Sequence, residues 1–153
     1  MNTVHGVAVN VAGTGLLIIG PSGSGKTELA LDLVDHCIIR KTEAHLVADD
    51  RVILRRDGEN WFASAPDNLK GLVEVRGSGI HKIGFMPETA LHLGVRLVPE
   101  TESARMPELQ PVEICPGVFL PCLTLPQRNF AAVRAVLAHL GLYAGVKSQI
   151  WDQ

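Results

Sequence analysis

Apolar and polar positions change period several times along the chain, and each change marks an element. Val7, Val9 and Val11 alternate with smaller or polar residues, Gly13-Thr14-Gly15 interrupts, and Leu16-Leu17-Ile18-Ile19 follows. A period of two on either side of a glycine break predicts a β-hairpin. From Gly25 the period lengthens. Leu29, Ala30, Leu33, Val34 and Cys37 share one helical face, with Glu28, Asp32 and Asp35 elsewhere, so an amphipathic helix is expected. A strand is expected at 45–48. Segments 52–56 and 61–65 flank Asp57-Gly58-Glu59-Asn60 and read as a second hairpin, ended by Pro66. Residues 72–75 are extended until Gly77-Ser78-Gly79 breaks them, and 91–98 alternate enough for another strand. The polar stretch 101–111, with two prolines, reads as a loop. Two short extended pieces surround Pro116-Gly117. A last helix is expected from about 127 to 140, with Phe130, Val133, Val136, Leu137 and Leu140 on its apolar side. A single α/β domain is the economical reading.

One segment carries chemistry on its own. Gly20-Pro21-Ser22-Gly23-Ser24-Gly25-Lys26-Thr27 satisfies G-x-x-x-x-G-K-[ST] without a mismatch. It follows the apolar strand and opens the first helix, which is where the mechanism needs it. Glycines let the backbone curl until several N–H groups point at one anion. The helix N-terminus adds about half a positive charge. Lys26 can reach the β- and γ-phosphates of a nucleotide, and the Thr27 hydroxyl can hold magnesium. In the commonest phosphate-loop domains that strand is the first of a parallel βαβ sheet. Here it is the second arm of a hairpin, so a mixed, largely antiparallel sheet is expected.

Two further segments gain meaning beside that loop. His45-Leu46-Val47-Ala48 runs into Asp49-Asp50. One carboxylate can position magnesium or its water, the other can accept a proton from a substrate, and two adjacent carboxylates need a cation nearby to stay ionised together. Val73-Glu74-Val75-Arg76-Gly77-Ser78-Gly79-Ile80 sets an acid and a base two positions apart, on one side of a strand, and an acid for magnesium beside an arginine for phosphate suits phosphoryl transfer. On pattern alone a salt-bridged strand edge is an equal reading. His36, His45, His81, His92 and His139 lack metal-ligand spacing, and His5 near a strand start has no decisive pattern.

Bulk properties exclude more than they assign. A formal net charge of −2 gives no reason for a nucleic-acid or anionic membrane partner, and aromatics at 5% argue against a base-stacking platform. Cys37, Cys115 and Cys122 are odd in number and lack paired spacing, so burial as small apolar residues is expected. The N-terminus lacks a signal-peptide pattern and the longest apolar stretch is short, which predicts a cytoplasmic protein.

Taken together these segments resemble HPr kinase/phosphorylase, the bacterial enzyme acting on a seryl residue of the phosphocarrier protein HPr. The likeness runs from His5-Gly6-Val7 through Gly13-Thr14-Gly15-Leu16-Leu17-Ile18 and the phosphate loop to Lys26-Thr27-Glu28-Leu29-Ala30-Leu31. It resumes at His45 to Asp50, at the signature-like Glu74-Val75-Arg76-Gly77-Ser78-Gly79-Ile80, and at Arg128-Asn129. The resemblance implies a phosphate-loop domain akin to phosphoenolpyruvate carboxykinase, ATP and Mg2+ as cofactors, HPr as substrate and a role in regulating the phosphotransferase system. Known relatives assemble as hexamers. Position by position it implies Asp50 as proton acceptor for the serine, and His5, Lys26 and Arg128 as the other active-site groups. Thr27 and Glu74 match the magnesium ligands, with Asp49 as a further candidate, and Arg76, Gly77 and Gly79 match the signature. It implies one catalytic domain over 1–153, the short form found in alphaproteobacteria, with 141–153 as a tail. Ser78 and His81 stand where aliphatic residues are usual, Gln127 replaces a glycine, and the tail does not match the segment tied to dephosphorylation, so kinase activity is the firmer expectation. A small-molecule kinase with Arg105 in a lid at 101–111, or an ATP-sensing module without turnover, stays open at this point.

Overall fold

The computed structural model describes residues 2–145, so most of the C-terminal tail lies outside the described residues. Its centre is the expected hairpin. After a short strand Asn2–His5 (β1), Val7–Val11 (β2) and Thr14–Ile19 (β3) pair antiparallel. The turn between them holds Ala12 and Gly13 both at positive φ, 53° and 89°, the mirror-image turn whose twist matches that of paired strands. Every β2 residue is buried. Val7, Val9, Val11, Leu16 and Ile18 face one hydrophobic core, while Ala8 and Leu17 face another. The hairpin therefore separates two layers.

On one face lie the helices Lys26–Ile39 (α1) and Ala131–His139 (α2), whose Leu29, Ala30, Leu33, Cys37, Val136 and Leu137 fill the first core. The remaining strands are Ala44–Ala48 (β4), Arg51–Asp57 (β5), Asn60–Ser64 (β6), Leu72–Val75 (β7), Gly79–Lys82 (β8), Glu88–Ala90 (β9), Leu93–Val98 (β10), Gln110–Cys115 (β11) and Val118–Pro126 (β12). A six-stranded sheet of order β11-β12-β10-β3-β2-β4 forms the middle layer. A four-stranded antiparallel sheet, β1-β5-β6-β9, covers its other face through Val4, Val52, Leu54 and Ala63. β7 and β8 make a separate hairpin.

Strand directions decide where chemistry can gather. β3 pairs parallel with β10, and β10 parallel with β12. β2 is antiparallel to both β3 and β4, so β4 also points the same way as β3. Four strands thus end at one edge of the sheet, and β2 begins there. Ligands of open α/β sheets bind beyond the carboxyl ends of such strands.

The mixed sheet and both hairpins are as the sequence predicts. Three differences have physical causes. α2 starts at Ala131 rather than near 127, because Arg128 adopts a left-handed φ of 51° that no α-helix accommodates. Phe130, expected on the apolar side, is consequently 85% exposed. The strand expected over 91–98 is β10, preceded by the short β9, whose three residues carry too little pattern to read. Cys37 and Cys122 are buried and Cys115 is partly so; burial in apolar surroundings pushes the Cys122 thiol up to about 11, which leaves it inert. At the end of the sheet away from the phosphate loop, buried Asn10 donates to Thr89 Oγ at 2.9 Å.

Candidate active site

A cavity of about 500 Å3 opens at the common strand edge. Its walls bring together His5, Ser22, Gly23, Gly25, Lys26, Thr27, Asp50, Glu74, Arg76 and Arg128 from five separate stretches of chain. Gly20, Pro21 and Ser24 of the loop do not line it; Ser24 is buried and Pro21 faces solvent. Gly25, at φ 94°, caps α1 in a conformation that costs a side-chain-bearing residue strain, and the chain enters the helix from there at once. A Cβ on Gly20 would stand 2.8 Å from Ser24 Oγ and 3.1 Å from the Leu97 carbonyl, so the loop packs directly onto the end of β10. Ser24 Oγ is buried without a hydrogen-bond partner.

Lys26 is only 7% exposed, and its ammonium donates to the carbonyls of Gly20 and Pro21, both at 3.0 Å. Burial pushes its pKa down, and the charges of Asp50, Asp49 and Glu28 oppose that shift. A desolvated cation with two of its three donors on loop carbonyls is poised to turn to a phosphate, which compensates its charge better than neutral oxygens do. Thr27 Oγ donates to Asp49 Oδ1 at 2.7 Å, and Asp49 Oδ2 accepts the Glu74 N–H at 3.1 Å. With its proton committed to Asp49, the Thr27 oxygen keeps lone pairs for a cation. Asp49 itself does not line the cavity; its two oxygens are engaged by the Thr27 hydroxyl and the Glu74 N–H.

Asp50 holds a left-handed φ of 69°. Its carbonyl accepts the Gly6 N–H at 3.1 Å, and its carboxylate lies 3.3 Å from His5 Nδ1. Both side chains remain largely exposed, 75% and 54%, so the pair faces the cavity and not the core. Across the opening, Arg128 clasps the loop: its N–H donates to the Ser24 carbonyl at 3.1 Å and its Nε donates to the Gly23 carbonyl. An Arg76 guanidinium nitrogen is 3.9 Å from where a Cβ on Gly23 would stand. Two arginines and Lys26 therefore surround the loop. Gly77 and Gly79 shape the β7–β8 turn and do not line the cavity. Arg105, the candidate lid residue, is also absent from the lining.

The donor set suits magnesium in kind: a hydroxyl and carboxylates, all hard oxygens. Among the described residues no three His, Cys, Asp or Glu side chains form a self-contained metal cage. Magnesium at a phosphate loop takes one or two protein oxygens, substrate phosphates and water, so Thr27 and Glu74 fit it without such a cage. Sequence reasoning passed over Glu28, Asp32, Leu97, Pro126, Phe130 and Val133, which also line the cavity. Asp32 shows in the sequence only as part of the polar face of α1, Glu28 as that and as part of the family-like stretch, and helical spacing sets Phe130 on the apolar side.

The fold and the loop define a phosphate-loop α/β domain of the kinase type, similar to phosphoenolpyruvate carboxykinase in its mixed sheet. Residues 1–113 match the HPr Serine kinase C-terminal domain, and the chain belongs to that family. The HPr kinase/phosphorylase of Limosilactobacillus reuteri (strain DSM 20016) is 34% identical over 145 residues, which cover 86% of this chain and 43% of that protein. That of Bacillus cytotoxicus is 50% identical over 78 residues, covering 50% of this chain and 23% of that protein. The chain thus spans less than half the length of these curated relatives. Among solved structures, the Hpr(Ser) kinase/phosphatase from Coxiella burnetii superposes with a TM-score of 0.74 at 24% identity, covering 92% of this chain and 90% of that one. At that identity the likeness speaks for the fold.

Proposed function

We propose that this domain transfers the γ-phosphoryl group of magnesium-bound ATP to a seryl hydroxyl of the phosphocarrier protein HPr, and so regulates the phosphotransferase system. The observation that carries the reading is one cavity holding the matched loop, Lys26 and Thr27 together with Asp50, Arg76 and Arg128. Family membership supplies the substrate class.

Loop amides and Lys26 bind the phosphates, and Asp50, beside His5, accepts the serine proton as the serine oxygen attacks phosphorus. The bond to the bridging oxygen breaks, leaving ADP. Magnesium, held by Thr27 and Glu74 with Asp49 fixing the Thr27 hydroxyl, would neutralise charge on the phosphate oxygens. Arg76 and Arg128 stabilise the charge spread over the transferred group, and most of the rate comes from such positioning and electrostatics. The protein acts in the cytoplasm as a homo-oligomer, a hexamer by analogy; among the described residues no helix is long and apolar enough to cross a membrane.

The test is incubation with Mg-ATP and the cognate HPr, followed by mass spectrometry of the phosphorylated residue, with a metabolite panel in parallel. One phosphate on an HPr serine supports the reading. Label appearing in a metabolite, or nucleotide binding with no transfer in a single turnover, overturns it.

A further inference from the structure

We propose that Phe130 is the stacking platform for the nucleotide's base, and that Asp32 and Glu28 on the facing helix accept hydrogen bonds from the nucleoside. This rests on the phosphate-loop reading above and adds where the rest of the ligand lies.

The geometry leaves few alternatives for a nucleoside attached to phosphates on the loop. Around Lys26 and Thr27 stand Asp50, His5, Glu74, Arg76 and Arg128, which are the groups that meet the terminal phosphate and the attacking hydroxyl. Beyond the loop, Val7, Leu97 and Pro126, the wall comes from α1 and the entry to α2: Glu28, Leu29 and Asp32 from the first, Asn129, Phe130, Ala132 and Val133 from the second. Among the described residues, Phe130 is the one Phe, Tyr or Trp lining the cavity, and at 85% it is the most exposed of the large apolar side chains. Ordinary helix burial does not explain it. The left-handed Arg128 delays α2 until Ala131 and leaves Phe130 outside the apolar face. The residue that clasps the loop thus also carries Phe130 to the cavity.

An aromatic ring offers a face to any base, and carboxylates accept from ribose hydroxyls or amino groups. Asn129, also on the wall, commits its carbonyl oxygen to the Ala131 N–H at 2.8 Å, which leaves its amide protons for the ligand. Aromatics at 5% argue against a base-stacking platform; a single base nevertheless needs only the one ring that Phe130 offers.

Calorimetric titration with Mg-ATP and, separately, with inorganic tripolyphosphate plus magnesium tests this. Phe130→Ala should weaken ATP binding about tenfold, the lower end of base-on-aromatic stacking, and leave tripolyphosphate binding unchanged. Phe130→Trp should retain ATP affinity, and thermal melts of both variants check the fold. Equal weakening of both ligands, or no change in either, overturns the proposal. So does a wild-type protein that binds tripolyphosphate as tightly as ATP, a result that would leave the phosphate loop standing. Wild type binding neither ligand would instead strike the phosphate-loop reading itself.

Discussion

Asp49 offers a perturbation whose size can be worked out without any ligand. Its Oδ1 accepts the Thr27 hydroxyl at 2.7 Å in a partly buried setting, and its Oδ2 accepts the Glu74 N–H at 3.1 Å in an exposed one. A short bond to a charged acceptor contributes about 1.5 kcal/mol when partly shielded, and the exposed one about 0.5 kcal/mol. Asp49→Ala therefore removes about 2 kcal/mol from the empty protein, which in a domain of this size lowers the melting temperature by about 4–8 °C. Asp49→Asn keeps an acceptor for Thr27 but turns a donor toward the Glu74 N–H, so its loss falls between wild type and Ala. The assay is thermal and urea denaturation with magnesium and nucleotide both left out. A carboxylate kept only to meet a metal would show no effect under those conditions. If Asp49→Ala melts within about 1 °C of wild type, the reasoning that it ties α1 to β7 is refuted.

Other substitutions test separate parts of the account. Asp50→Asn should leave nucleotide affinity nearly intact and slow transfer to HPr by at least about 100-fold, read in a single-turnover assay; comparable turnover removes Asp50 as proton acceptor. Gly15→Ala would place a Cβ 1.7 Å from the Ala90 carbonyl oxygen and 2.8 Å from Thr89 Oγ, and should cost about 3 kcal/mol in urea denaturation because the obstacle is backbone. Asp32 has its pKa raised by burial and by repulsion from Asp35 and Glu28. The folded protein thus binds more protons than the unfolded one between the two pKa values, so stability falls as pH rises through that window. Asp32→Asn should flatten that fall and gain stability above it, and melting curves across acidic to neutral pH that superpose on wild type would contradict this.

The phosphate loop was legible in the sequence because its function resides in contiguous backbone: the same eight residues that match the pattern form the turn and the helix start. The hairpin before it was legible for a similar reason, since period-two burial is local. Phe130 was misread because helical spacing cannot register one left-handed residue two positions upstream. β9 was missed because three residues are too short for a period. Asp49 and Asp50 are legible as a pair, but the neighbours each meets, Thr27 and Glu74 for Asp49 and His5 for Asp50, are set by the tertiary structure.

By itself the sequence determined the loop, the elements flanking it and a mixed sheet, all consequences of short-range periodicity and of glycine and proline placement. Only the tertiary structure decided that His5, Asp50, Glu74, Arg76 and Arg128 share one cavity with Lys26. That convergence depends on β3, β4, β10 and β12 ending at the same edge where β2 begins. Strand direction is set by long-range pairing, and no local pattern encodes it.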